Sequence, residues 1–163
     1  VMNGYFGREK LPDPSYNWNS WADPLASKEV FAAAVAVHRA IPLEVTDKLT
    51  IEGERAGKLM SANTDLIKAV LDFGSAWLES AGKLTLHDPL AAVSIFYPEF
   101  CTFEKGVVQV ETGENGNMGG TVLTPDPNGI VEIARTVDKE AFYTVLSTTL
   151  NSGTRNLAEG NRA

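Results

Sequence analysis

Three short runs rich in β-branched residues, Val107–Glu111, Thr121–Thr124 and Ile130–Arg135, are divided by two stretches dense in turn formers, Gly113–Gly120 and Asp126-Pro127-Asn128-Gly129. Gly, Asn, Asp and Pro supply the backbone conformations that reverse a chain, so no helix passes through either stretch. This part of the chain predicts a small β meander.

Upstream the periodicity changes. Between Ile51 and Ala81 the apolar residues Leu59, Met60, Leu66, Ile67, Val70, Leu71, Phe73, Ala76, Trp77 and Leu78 recur at helical spacing, with Asn63 to Asp65 as a break, which predicts two helices. Asp23-Pro24 offers an N-cap followed by Pro at the first helical position, for a helix from Leu25 to Ala34. From His38 to Thr46, Ile41, Leu43 and Val45 alternate with Ala40, Pro42 and Glu44, a short strand that Pro42 confines to the residues after it or to a sheet edge. Leu84-Thr85-Leu86 reads as a brief extended entry, His87-Asp88-Pro89 as a turn, and Leu90 to Phe96 as a short helix ending before Pro98. Asp138 caps a last helix through Leu150. Residues 1–152 thus form the folded portion and 153–163 a polar, frayed tail.

Composition narrows the partners. With 14 Lys plus Arg against 21 Asp plus Glu, the 163-residue chain carries a net charge of −7 and no basic cluster, which argues against nucleic acid and against an anionic membrane. The longest apolar run, Phe31 to Val37, falls far short of the roughly 20 residues a spanning helix needs. One cysteine, Cys101, excludes an internal disulfide, and no Asn-x-Ser/Thr acceptor occurs, so the expected compartment is the cytoplasm. The opening Val1-Met2-Asn3-Gly4 reads as the end of a strand running into a Gly turn, for which an upstream part is expected.

Two places could carry chemistry. At His87-Asp88-Pro89, Asp88 could ligate a hard metal while His87 faces a substrate as proton donor; equally, Asp-Pro before a helix is common capping chemistry, as Asp23-Pro24 illustrates without a histidine. In Tyr16-Asn17-Trp18-Asn19-Ser20-Trp21, amides that both donate and accept alternate with flat aromatics, a combination suited to sugar hydroxyls with a heterocycle stacked nearby, though also found in plain loops. Gly113–Gly120 is no phosphate cradle, since neither Lys-Ser/Thr nor a helix start follows it. Cys101 reads as a buried, inert thiol, and His38 as an ordinary surface or strand-end residue.

In this order and about 70 residues apart, these pieces resemble the C-terminal half of the inosine-uridine preferring nucleoside hydrolases. Val1-Met2-Asn3-Gly4 is similar to the family's Met-Gly-Gly turn after a strand. Asn17-Trp18-Asn19 with Asp23-Pro24 matches its acidic-aromatic-Asn triplet and x3-Asp-Pro. His87 to Ala91, Pro98-Glu99-Phe100 and Val108 to Gly113 match its His-Asp-Pro-Leu-Ala, Pro-Glu-(Leu/Phe) and Val-x-Val-Glu-Thr-Gly stretches, the most specific set. The likeness covers nearly the whole chain.

The resemblance implies an α/β fold, the C-terminal portion of an open, mostly parallel sheet with flanking helices. It implies hydrolysis of the N-glycosidic bond of ribonucleosides by a Ca²⁺-activated water. Asp88 would ligate Ca²⁺ and His87 would assist the leaving base. Asn17 and Asn19 would hold ribose hydroxyls, Met2 would line the ribose, Trp18 would lie beside the sugar, and Trp77 would contact the base. It also implies a homo-oligomer.

Two departures stand out. Asn17 occupies the position where many members carry Glu, and the family's Asn in the preceding loop has no clear counterpart among Arg8 to Leu11. The Asp-rich motif that supplies the general base and most Ca²⁺ ligands belongs to the family's N-terminal half, so the expectation is a site completed by an N-terminal segment outside this chain, which alone would be inactive. The alternatives are a non-catalytic nucleoside or ribose binding protein on the same scaffold, and an unrelated α/β domain with a capped histidine turn.

Overall fold

The computed structural model describes residues 1–7, 13–54, 64–113 and 118–152. Its elements in chain order are a 3₁₀ turn (Pro14–Tyr16), α1 (Trp18–Ala22), α2 (Pro24–Ala32), β1 (Arg39–Ala40), α3 (Leu43–Thr46) and β2 (Thr50–Ile51). They continue with α4 (Asp65–Ala81), β3 (Leu84–Thr85), α5 (His87–Phe96), a 3₁₀ turn (Pro98–Phe100), β4 (Cys101–Val110), β5 (Thr121–Pro125), β6 (Val131–Val137) and α6 (Lys139–Ser152). The fold is α/β, and the chain divides into two compact units: Val1–Lys48 with His87–Val137, and Leu49–Leu86 with the chain from Asp138 onward.

The first unit holds an open sheet in the order β1-β6-β4-β5. It is parallel where β1 runs beside β6 and where Met2 bridges Ile41, and antiparallel where β4 meets β5 and β6. Phe31, Ala40, Val131 and Ile133 form its buried centre, with Phe6, Val108, Val110 and Leu123 packed against them. The edge of Phe6 meets the Phe31 ring at 6.2 Å. Fully burying Phe31, Val131 or Ile133 contributes about 1.5–3 kcal/mol each before entropy is counted.

The strand order corrects the meander. A meander would put β5 in the middle, but the middle strand is β4. Its ten residues serve two partners: Gly106 to Val110 pair with Pro125 to Thr121, and Cys101 to Gly106 pair with Val137 to Val131. Asp126 to Ile130 is therefore no hairpin turn but a crossing that carries the chain from one side of β4 to the other, over Gly106. A side chain on Gly129 would collide with the backbone of Gly106, so the crossing needs a glycine at 129.

Local chemistry explains most boundaries. Asp23 Oδ1 accepts from Ala26 N at 2.8 Å and Pro24 takes the first helical position, as expected for α2. The strand expected over His38 to Thr46 is shorter: β1 ends at Ala40, Ile41 bridges Met2, and Leu43–Thr46 is helical. Pro42 has extended geometry (ψ 167°), and its carbonyl accepts from both Val45 N and Thr46 N, which starts α3. His38 does stand just before β1, yet it is buried, its ring stacked on Phe31.

In the second unit, Ile51 pairs with Leu84 in β2–β3 rather than opening a helix. The helix expected after the break is α4, capped by Thr64 Oγ1 on Ile67 N and ended by Gly82 at φ +70°. The first helix of that pair falls largely on 55–63, outside the described residues, as do the tail at 153–163 and the Arg8 to Leu11 loop. Leu49, Ile51, Ile67 and Phe142 are buried here, and Tyr143 donates to the Thr50 carbonyl at 2.7 Å. Asp138 Oδ1 accepts from Ala141 N, the cap expected for α6. No helix among the described residues is long and apolar enough to cross a membrane.

Candidate functional site

Four separate stretches of the first unit meet around a cavity of about 230 Å³ lined by Met2, Tyr16, Asn17, Trp18, Asn19, Leu43, His87 and Asp88. Met2, Asn17, Trp18, Asn19, His87 and Asp88 were singled out from sequence, and the fold brings all six together. Trp77 lies on α4 of the other unit and is 62% exposed.

The Met2 segment is placed by the sheet. Ile41 N donates to Val1 O and Leu43 N to Gly4 O, which fixes the strand end on which Met2 sits. Beyond it, Phe6 N donates to both carboxylate oxygens of Glu44 at 3.1 and 3.2 Å, and Arg135 Nη1 donates to Phe6 O. Arg135 also grips Glu104 through Nε at 2.7 Å and Nη2 at 2.6 Å. Burial raises the Glu44 carboxyl above its ordinary range, against the opposing pull of the Phe6 N–H and the Arg135 guanidinium.

The aromatic–amide segment is placed by α1 and by the β4–β5 hairpin. Asn19 Nδ2 donates to Met2 O at 2.9 Å and lies 3.4 Å from Met2 Sδ, which joins the two strips of cavity wall directly. Asn17 is buried, and its Nδ2 donates to Gly119 O at 3.0 Å. Gly119 has φ +78°, and a Cβ there would press on the backbone of Ser20 and Trp21, so the hairpin reaches α1 only through a glycine. Glu111 and Gly119–Gly120 exchange backbone bonds at the neck of the Gly113–Gly120 stretch, the hairpin closure expected there. Trp18 is 62% exposed and tilted against Trp21, 5.3 Å between ring centroids.

His87 and Asp88 belong to the first turn of α5 rather than to a turn ahead of it. Both line the cavity. The His87 ring is half-buried: its Nδ1 lies 2.8 Å from Thr46 Oγ1, and its Nε2 lies 4.0 Å from Asp47 Oδ1. Thr46, fully buried, also donates to Leu43 O at 3.1 Å. Neither Thr46 nor Leu43 was marked by the sequence, because α3 reads there as a strand and lies about 40 residues from His87.

The arrangement offers a carboxylate, an imidazole, amides and flat aromatic surface around a space of small-molecule size. Among the described residues no group of three or more His, Cys, Asp or Glu side chains is placed to hold a metal ion. A larger, mainly apolar hollow of about 690 Å³, bounded by Val30, Val35, Val37, His38 and Ile95 among others, contains none of the six site residues.

Comparison with known proteins bears on the family and the fold. The model of the family described as inosine-uridine preferring nucleoside hydrolase matches residues 1–144. An uncharacterised protein of Schizosaccharomyces pombe is 28% identical over 160 residues, covering 90% of this chain and 50% of that protein. Uridine nucleosidase 1 of Arabidopsis thaliana is 27% identical over 118 residues, 69% of this chain and 35% of that protein. The chain thus spans about half or less of the length of these relatives. The structure of the inosine-uridine preferring nucleoside hydrolase from Bacillus anthracis superimposes with a TM-score of 0.73 at 20% identity, over 92% of this chain and 50% of that one, a shared fold.

Proposed function

Because the chain belongs to the inosine-uridine preferring nucleoside hydrolases, we propose that the full protein hydrolyses the N-glycosidic bond of ribonucleosides, releasing ribose and the free base, and that this chain supplies one wall of the site. The observation that carries the reading is the meeting of Met2, Asn17, Trp18, Asn19, His87 and Asp88 around one cavity.

In this reading water attacks C1′ as the base departs, and the residues present divide the work. Asn19 has its nitrogen committed to Met2 O, which leaves Oδ1 as an acceptor for a ribose hydroxyl. Met2 and Trp18 bound the sugar, and His87 hydrogen-bonds or protonates the departing base so that it does not leave as an anion. Relatives named as uridine nucleosidases support uridine as the first substrate to try.

Calcium enters only through Asp88. Ca²⁺ takes six to eight oxygen ligands, so the described residues alone do not fit the ion. Asp88 is proposed as one ligand among several drawn from elsewhere in the full protein, which also supplies the water-activating groups. The catalytic assembly proposed is this chain with the polypeptide corresponding to the relatives' other half, as a homo-oligomer.

The test is ribose release from uridine and inosine by the full protein, with and without EDTA. Release that EDTA removes and Ca²⁺ restores is expected, and His87→Ala should lower it about 100-fold without unfolding the protein. No ribose from either nucleoside overturns the reading. A second reading, nucleoside or ribose binding without turnover, is favoured by Asn17, whose neutral amide is committed to Gly119 O; calorimetric binding of uridine with no ribose formed would establish it.

A further inference from the structure

We propose that Thr46 is a positioning residue that holds the neutral His87 ring with its proton on Nδ1, leaving Nε2 as the nitrogen presented to a substrate. The catalytic meaning of this rests on the hydrolase reading; the tautomer itself does not.

Thr46 Oγ1 carries one proton and stands between two groups, Leu43 O at 3.1 Å and His87 Nδ1 at 2.8 Å. A carbonyl oxygen only accepts. When the hydroxyl donates to Leu43 O, Nδ1 must be the donor to Oγ1, and both contacts are hydrogen bonds. If instead the hydroxyl donates to a bare Nδ1, the contact with Leu43 O is no longer a hydrogen bond. Leu43 O keeps its bond from Asp47 N in either case, so the count turns on Thr46 alone: two bonds against one. Thr46 is fully buried, and no solvent reaches it to make up the difference.

The imidazolium also carries Nδ1–H, so the same bond holds the ring in both charge states; the neutral ring offers Nε2 only as an acceptor, and it is the imidazolium whose Nε2–H is available to a departing base. Nε2 has no such tie: its nearest carboxylate oxygen, Asp47 Oδ1, is 4.0 Å away, beyond hydrogen-bond reach. The ring lines the cavity beside Asp88 and Leu43. Thr46 thereby does for His87 what a partner of a catalytic imidazole must do, which is to choose the tautomer and the ring pose.

The experiment is nitrogen NMR of the full protein labelled with ¹⁵N-histidine, at about pH 9, above the ordinary imidazole range, with His87 assigned from the signals that His87→Gln lacks. In the wild type Nδ1 should resonate as a protonated nitrogen and Nε2 as an unprotonated one. Thr46→Val, similar in shape but without the hydroxyl, should shift that pattern toward the other tautomer, and Thr46→Ser should restore it. In the ribose-release assay Thr46→Val should lower kcat about 10-fold while KM moves less than about 2-fold. An unprotonated Nδ1 in the wild type, or an unchanged pattern in Thr46→Val, overturns the proposal. A protonated Nδ1 in a protein that cleaves no nucleoside supports the hold of Thr46 and defeats the hydrolase reading alone.

Discussion

Asn17 Nδ2 lies 3.0 Å from the carbonyl oxygen of Gly119, a bond between residues 102 positions apart that ties the aromatic–amide strip of the cavity to the β4–β5 hairpin. A carboxylate of the same shape has no proton to give and would face that carbonyl with like partial charge. Asn17→Asp should therefore cost about 2 kcal/mol in urea unfolding, through a buried bond lost and a buried charge gained. A variant that unfolds at the wild-type midpoint would show that the tie carries no weight.

The crossing over β4 makes a sharper demand. A methyl group on Gly129 would drive into the backbone of Gly106, and β4 cannot move aside there without breaking its pairing with β5 and β6. Gly129→Ala should destabilise the protein by about 2–4 kcal/mol, whereas Asn128→Ala in the same segment should cost under about 1 kcal/mol. Equal losses at the two positions would mean that the close approach is not what limits the crossing.

Glu44 gives stability a pH dependence of defined sign. Its carboxyl is raised above the ordinary 4.5, chiefly by burial, so the folded state holds this proton more tightly than the unfolded chain does. Its contribution is full below that ordinary value and is lost as the pH rises through the folded value. Glu44→Gln removes this loss along with some hydrogen bonding, so the stability of the variant minus that of the wild type should increase from about pH 4 to about pH 7. Urea melts of both proteins across that window decide it, and a flat or falling difference contradicts the assignment.

Cys101 is buried at the start of β4, and burial pushes its thiol up to about 11 from 9.0. At about pH 8 the thiolate fraction is then about 100-fold smaller than that of an ordinary thiol, so iodoacetamide should label the native protein at least about 100-fold more slowly than the unfolded chain. Comparable labelling rates in the two states would place the thiol at the surface.

What could be read from the sequence follows the range of the interactions. The caps at Asp23, Thr64 and Asp138 act within three or four residues, and the helices that follow them were expected within a few residues of where they lie. The site residues Met2, Asn17, Trp18, Asn19, His87 and Asp88 were legible because their spacing resembles one family. Leu43 and Thr46 were not, because Pro42 turns an apparent strand into a helix and the bond to His87 spans 41 positions. The strand order was likewise hidden. A Gly-containing stretch between two β runs looks the same whether it reverses the chain or carries it across a neighbour, and the pairing of β4 with both β5 and β6 that decides between them lies outside that stretch.

The first unit is discontinuous in sequence, and that orders events at the ribosome. Arg39 of β1 pairs with Glu132 of β6, 93 positions later. At about 5–20 residues per second of synthesis, β1 leaves the exit tunnel roughly 5–20 s before its partner strand. In that interval the whole of Leu49–Leu86 emerges while Arg39–Ala40 is still without β6. The sheet that sets the Met2 strand end beside Ile41 is thus closed only once Val131–Val137 is free.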